Sequence, residues 1–407
     1  MRQHAERGED RRMSLLIGWI IFITALLISI TLHEAGHLVT AKRFGMKATQ
    51  FFAGFGPTVW SIQKGETEYG IKAVPLGGYV KIIGMTSLED VDPKDEPRAL
   101  RTKPGWQRVI VLSAGSLMHF VFAAVLLFGL FIGVGMANQN TTKIGVVNGC
   151  VPASQSATSC TSADPRSPAA KAGLKPGDRI VAFAGTPVHS WNDLSAAIRA
   201  HAVGSETVIT VDRGGKQVDV QAKLAAIKGR TGAFLGISPA VIYQHLSPVQ
   251  AVRSTGSFVG TVVSGSAKVI TELPKAIPKL FAHNRANTAG GQVTSIVGAG
   301  NDTGQVIGAD IGWQQKVTFV VLIIASLNIF VGLFNLLPLL PLDGGHIAVV
   351  LYERARAHVA RLRGRADPGL VDMRKLIPVS FGIFAVIVVI GLMLIMADLV
   401  NPVSIIQ

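Results

Sequence analysis

The sequence predicts an α-helical membrane fold: four transmembrane helices, a strand-rich stretch after the first, and an α+β domain inserted after the second. Three observations predict it. Charged residues make up only 16% of the 407 residues and hydrophobic ones 49%, whereas an ordinary globular domain carries about 25% charged residues. Four stretches, 13–32, 109–136, 317–342 and 376–396, contain no Asp, Glu, Lys or Arg, and each is long enough to cross about 30 Å of hydrocarbon. Between the second and third lies a long polar segment with short alternating runs.

The first span, 13–32, resembles a signal peptide at first sight. Its apolar run is too long for a signal h-region and no small-x-small cleavage site follows, so it reads as a retained helix. Loop charge sets the orientation. The segment Glu353–Lys375 holds seven basic residues against three acids, which places it in the cytoplasm. Four spans then put 41–108 inside as well and 137–316 outside; the N-terminus also falls outside, although Arg11 and Arg12 there oppose that assignment. The net charge of +14 is spread over several loops between apolar spans, which fits membrane-surface loops and not a nucleic-acid partner. The only cysteines, Cys150 and Cys160, lie in the outside segment. Their spacing permits one local bridge in an oxidising compartment, and two free thiols remain open.

The first span runs into His33-Glu34-Ala35-Gly36-His37. On a helix, residues four apart share a face. Two imidazoles so placed bind one Zn²⁺, and the Glu between them reaches a metal-bound water. Ionisable groups at the end of an uninterrupted apolar span are costly and mark function. The third span ends in Asn335-Leu336-Leu337-Pro338-Leu339-Leu340-Pro341-Leu342-Asp343-Gly344-Gly345-His346. A catalytic zinc takes three protein ligands and keeps one open position, so Asp343 completes a set with His33 and His37. His346 is a rival ligand and reads as a supporting residue. Two prolines and two glycines break the helix at membrane depth, which is tolerated only where backbone is buried in protein or lines a wet cavity.

With these motifs the chain resembles the site-2 proteases, zinc intramembrane metalloproteases, and most closely the bacterial branch with an extracytoplasmic PDZ domain. Asn335, Pro338, Asp343 and Gly344 match the family pattern N-x-x-P-x-P-x-x-D-G, while Pro341 falls one residue late. In the second span Gly115-Ser116-Leu117-Met118-His119-Phe120 resembles the family's G-P-x-x-N-F, with His119 in place of Asn. Residues 290–296 weakly resemble a Gly-Pro-x-x-Ile stretch, with Gln292 at the proline.

The resemblance extends to the polar regions. Thr58–Gln63, Glu68–Val74 and Gly78–Ile83 read as three strands, and the 41–108 region looks like the family's re-entrant β-loop. An exposed strand edge there would pair with an unwound substrate, which makes Gly77, Gly78 and Tyr79 candidate substrate-binding residues beside Asn335. Residues 86–104 read as a surface loop. Residues 143–226 look like a PDZ domain, a module that takes a peptide or a partner at its groove. Residues 246–304 read as amphipathic helices on the membrane surface.

The resemblance implies a multi-pass cell-membrane enzyme with one Zn²⁺ per chain, its active site toward the cytoplasm and its PDZ domain outside. His33, His37 and Asp343 would hold the metal and Glu34 would act as base. Substrates would be pre-trimmed single-pass proteins such as anti-sigma factors. Two other readings fit less well. A non-catalytic scaffold would be free to lose Glu34, and a metal transporter would show internal repeats and more intramembrane charge.

Overall fold

The computed structural model describes residues 2–86, 88–153, 160–161, 164–229, 231–277, 280–281 and 294–401. They form two compact units, one of Met1–Gly133 with Ser247–Gln407 and one of Val134–Leu246. In chain order the first unit begins with helix α1 (Arg2–Arg43), strands β1 (Ala48–Lys64) and β2 (Thr67–Ile82), and helix α2 (Gly105–Gly133). The second unit holds β3 (Met136–Asn138), β4 (Ile144–Val147), α3 (Pro168–Lys171), β5 (Arg179–Phe183), β6 (Thr186–Pro187), α4 (Trp191–Ala200), β7 (Glu206–Arg213), β8 (Lys216–Lys223), β9 (Ile237–Pro239) and β10 (Ile242–Gln244). The chain then returns to the first unit with α5 (Pro248–Ala276), α6 (Ile296–Gly308), α7 (Trp313–Asn335), α8 (Asp343–Leu362) and α9 (Ile377–Val400).

Among the described residues, four segments are long and apolar enough to cross a membrane: Arg12–Arg43, Gly105–Gly133, Trp313–Asn335 and Met373–Val400. The first corrects the expected 13–32. The helix does not stop at the HExxH motif but carries it inside, because no residue between Leu32 and Arg43 breaks the α conformation. It ends at Gly45, whose φ of +68° is left-handed, with the Met46 amide donating to the Ala41 carbonyl at 2.9 Å and the Gly45 amide to Lys42 at 3.0 Å. That is a Schellman termination, which favours glycine. The third expected span, 317–342, is also corrected. Helix α7 stops at Asn335, residues 336–342 turn, and Asp343 opens α8, which runs through much of the segment expected to be a loop.

Residues 48–82 form two long bent strands in place of the three short ones expected. The turn at Gly65 (φ +63°) joins them. Residues 50–53 have neighbours on both sides: Ala53 faces Gly78 on one and Ile71 on the other. The outer half of the hairpin exposes Phe55, Val59, Trp60 and Ile62. Its root is packed, with Met46, Ala48 and Ile82 buried against Leu38 and Ala41 of α1 and Val111 of α2. Leu100 joins that cluster, so the 86–104 segment is not a plain surface loop.

Helices α1 and α2 meet through small residues. A Cβ on Gly36 would lie 2.6 Å from the Ala114 carbonyl oxygen and 2.8 Å from Met118. Helix α6 is also buried, which corrects the surface placement expected for the end of 246–304. Gly304 abuts Leu15 of α1, Gly300 lies under the Trp19 indole, and the indole Nε1–H donates to Asn301 at 3.2 Å. Of the 290–296 stretch, residues 290–293 lie outside the described residues.

The second unit is wider than the expected 143–226. Its four-stranded sheet has the order β6-β5-β7-β8, and β4 pairs with β9 and β3 with β10, Tyr243 facing Ala137. Three-residue strands carry no readable alternation, which is why these closing pairs were not expected. Ile180, Phe183, Leu194, Ile209 and Val211 fill its core. Ser167 and Ser190 cap α3 and α4, accepting from the Ala170 and Asp193 amides at 3.1 Å, as N-cap serines do. Cys150 and Cys160 form a disulfide.

Asp178 is buried beside Arg213, whose Nε and Nη2 donate to its two oxygens at 2.8 and 2.7 Å. The bidentate guanidinium, helped by the Lys175 amide, holds the Asp178 carboxyl below the usual carboxylate range against the opposing effect of burial. A folded pKa below the unfolded value near about 3.9 means a stabilising contribution that is complete above that pH and is lost as pH falls through the lower folded value. Residues 134–246 expressed alone should show a urea midpoint, followed by Trp191 fluorescence, that falls between about pH 4 and pH 2 more steeply than in Asp178→Asn. Parallel pH profiles would refute the assignment.

Candidate active site

The site is built where α1, α2 and the start of α8 meet the root of the hairpin. His33 and His37 lie one helical turn apart on α1, and both are buried. Their Nε2 atoms are 3.1 Å apart. Asp343, the first residue of α8, brings Oδ2 to 3.3 Å from His33 Nε2 and 3.4 Å from His37 Nε2. Asp343 reaches the histidines because α8 folds back on the turn before it. A Cβ on Gly344 would meet the Leu336 and Leu337 carbonyls, and one on Gly345 would lie 2.6 Å from the Leu339 carbonyl carbon. The Leu340–Pro341 bond in that turn is cis.

The three donors fit zinc. Four ligands at 2.0–2.1 Å in a tetrahedron have donor–donor edges of about 3.3 Å, and the observed edges are 3.1, 3.3 and 3.4 Å. Asp343 Oδ2 is buried without a hydrogen-bond partner, a condition that costs free energy unless a cation satisfies it. His37 Nδ1 lies 2.7 Å from the Val111 carbonyl oxygen. A carbonyl only accepts, so Nδ1 carries the proton and Nε2 presents its lone pair to the site. Such an outer hydrogen bond orients metal-ligating histidines generally. His33, His37 and Asp343 form a potential metal cluster among the described residues. His346 does not join them and lines a separate small cavity with Arg108 and Glu353.

Glu34 projects from α1 toward β2. Its Oε2 accepts the Val80 backbone N–H at 2.9 Å, and Gly78 packs against its Cγ, where a Cβ would lie at 3.5 Å. A cleft of ≈ 440 Å³ opens from His33 and Glu34, with Pro75 of β2 and Asn328 and Asn335 of α7 among its walls. Asn335 is therefore brought to the site as expected from sequence. Gly77, Gly78 and Tyr79 do not line this cleft. Gly78 abuts the carboxylate, while Tyr79 stacks on Phe52 and Phe55 at 5.7 and 6.1 Å within the hairpin.

Sequence reasoning gave no role to three further groups. A Cβ on Gly115 of α2 would lie 2.7 Å from His33 Nε2 and press on His37 Nε2 as well, so the imidazoles occupy the space of the missing side chain. His119 Nδ1 lies 2.9 Å from Ser29 Oγ and 3.0 Å from Asn328 Oδ1, and its ring is 5.0 Å from that of His33. Ser29 also donates to Asn328, whose Nδ2 donates to the Ile324 carbonyl at 2.8 Å. The signal for this cluster was three polar residues within otherwise apolar spans.

The comparisons agree with the geometry. The model of Peptidase family M50 matches residues 21–366. Zinc metalloprotease Rip1 of Mycolicibacterium smegmatis is 36% identical over 96% of this chain and 99% of that protein. Rip1 of Mycobacterium tuberculosis is 36% identical over 97% of this chain and 100% of its own length. A solved PDZ domain from Listeria monocytogenes covers 25% of this chain and 93% of its own at 23% identity, with a TM-score of 0.17, too low to assign a fold. The family match spans most of the sequence and includes both motifs and all three donors. With four helices able to span a membrane among its described residues, the chain thus belongs to peptidase family M50, the site-2 proteases, and is a zinc metalloendopeptidase.

Proposed function

We propose that the chain hydrolyses peptide bonds inside the membrane-spanning segments of pre-trimmed single-pass proteins, with anti-sigma factors as the substrate class. The observation that carries this reading is the convergence of three metal donors, two of them on the membrane-length helix α1, beside the Glu34 carboxylate of the same helix. His33, His37 and Asp343 hold one zinc. The ion, when bound, supplies a Lewis acid for the scissile carbonyl and lowers the pKa of water.

The chain's own groups do the rest. The Val80 amide fixes one oxygen of Glu34, leaving the other to take a proton from the attacking water and pass it to the leaving amine. Asn335 hydrogen-bonds the unwound substrate within the cleft. A substrate strand runs along β2 at Gly77, Gly78 and Tyr79, since a helical segment hides its amides until it is unwound. By the charge of 353–375 the site faces the cytoplasm. Residues 134–246 form a PDZ domain outside, which screens a peptide or a partner.

Reconstitution into phospholipid vesicles with a tagged single-pass substrate tests the reading. A product cut within the apolar segment is expected. A zinc chelator should stop cleavage and added zinc restore it. Cuts confined to the wet flanks, or cleavage indifferent to chelator, would overturn it.

A further inference from the structure

A second polar cleft lies away from the metal donors, between the first turn of α2 and helix α8. It has a volume of ≈ 620 Å³, and its walls include Arg108, Glu353, Arg354, His358, Arg361 and Asp367. Arg354, His358 and Arg361 are spaced i, i+4, i+7 and so share one face of α8. Both carboxylates in the walls are already engaged. Glu353 accepts from Arg108 Nη1 at 2.8 Å and from the Val371 amide at 2.9 Å. Asp367 accepts from the Gly369 amide at 2.9 Å. Arg354 and Arg361 have no ion pair among the described residues. Arg108 is only 9% exposed, and its Nε has no hydrogen-bond partner. The cleft therefore offers uncommitted positive charge and a buried unsatisfied donor, the chemistry that takes a phosphate.

The surroundings say what carries the phosphate. Beside the arginine face, α8 exposes an apolar stripe of Leu351 (55%), Val359 (43%) and Leu362 (74%). A helix with a basic face and an apolar stripe lies in the headgroup layer. Helix α7 ends at Asn335 shortly before α8 and α9 begins at Ile377 after it, while Gly105, the first residue of α2, lies against Arg354 in the middle of α8, so three apolar spans terminate around this helix. Trp106, exposed in the first turn of α2, is of the type enriched at that depth. Arg354 packs its stem against Gly105, which ties the cleft to the start of the span.

We propose that this cleft binds the headgroup phosphate of an anionic phospholipid through Arg354 and Arg361, with the acyl chains along the apolar stripe of α8. The inference rests on the reading of α2, α7 and α9 as membrane spans but not on the proteolytic chemistry. Basic pockets beside span ends are used in this way by other membrane proteins.

The test uses the intact protein in a neutral detergent. Its thermal midpoint is titrated with dioctanoyl phosphatidylglycerol, dioctanoyl phosphatidylcholine and inorganic phosphate. Wild type should show a saturable rise with phosphatidylglycerol alone, and the paired variant Arg354→Gln/Arg361→Gln an apparent affinity weaker by about tenfold or more. Ala357→Glu, which adds a carboxylate to the cleft wall while keeping both arginines, should weaken binding similarly and decides the matter if the paired variant does not fold. Equal binding by wild type and a folded variant would overturn the site. An equal response to phosphatidylcholine would overturn the charge argument. A matching response to inorganic phosphate would overturn the lipid in favour of a soluble ligand. Retained zinc-dependent cleavage in the variants, or its loss in wild type, leaves these lipid readings unchanged, so the two proposals fail separately.

Discussion

Glu34→Gln should abolish substrate cleavage, by about a hundred- to ten-thousandfold in kcat, while the purified protein keeps its zinc. The amide is chosen over alanine for a structural reason. Glu34 Oε2 accepts the Val80 N–H, and the carbonyl oxygen of glutamine preserves that bond to β2 while removing the basic lone pair. None of the Glu34 oxygens is among the three donors, so metal content should be unchanged. Asp343→Ala is the counterpart. It removes a donor from a buried set and should lose both zinc and cleavage. Measuring zinc per chain and single-turnover cleavage together separates the two roles. A Glu34→Gln protein that cleaved at the wild-type rate, or an Asp343→Ala protein with full zinc, would remove these assignments.

The second large effect is expected at a residue with no reactive atom. Gly115→Ala should lower zinc affinity by about tenfold to a hundredfold, the range seen when outer-shell support for metal ligands is removed. The new Cβ would lie 2.7 Å from His33 Nε2 and also strike His37. Retreat of helix α2 would break the contacts it makes with α1. Gly36 already brings α1 against the Ala114 carbonyl, and His37 is tied to Val111 of the same helix. The imidazoles must therefore rotate away from the donor geometry. Gly129→Ala on the same helix is the control, because nothing lies within 4 Å of a Cβ there. It should titrate zinc like wild type. Equal affinities for Gly115→Ala and Gly129→Ala would show that the close approach does not matter.

These two predictions differ in how far the sequence alone could reach them. His33, Glu34 and His37 are one turn of one helix, so their spacing carried the geometry directly. Asp343 is remote in sequence, but two prolines and two glycines around it announced a fold-back that only a buried site would need. Gly115 stands in the sequence as the first residue of a motif-like stretch in an apolar helix, with no role attached to it. Its meaning depends on which face of α2 meets α1, a matter of packing and not of period. Ser29, His119 and Asn328 were each unusual in their spans, yet nothing local paired them. Element ends depart from the apolar runs for a related reason. Apolar runs report where hydrocarbon is tolerated, whereas the end of α1 is set by Gly45 and the start of α8 by the Gly344–Gly345 contact with the preceding turn. Strand β2 looks like two strands in sequence because Pro75 and Gly77 (φ +142°) interrupt its alternation, and Gly54 and Gly56 (φ +92° and +81°) hide the first half of β1.

The length of α1 has a consequence for the supply of a reactant. Residues 12–43 rise about 1.5 Å each, so the rod is about 48 Å long, well beyond the roughly 30 Å of hydrocarbon that a spanning helix has to cross. With Arg12 and Arg43 drawn to opposite headgroup layers, the midpoint of the rod falls near Leu27. On that placement His33 and His37 lie about 8 and 14 Å past the midpoint, about 7 and 1 Å inside a hydrocarbon boundary about 15 Å from it. Each hydrolytic turnover consumes one water molecule. At that depth the molecule has only a few ångströms of oil to cross, and hydration needs no channel through the bilayer.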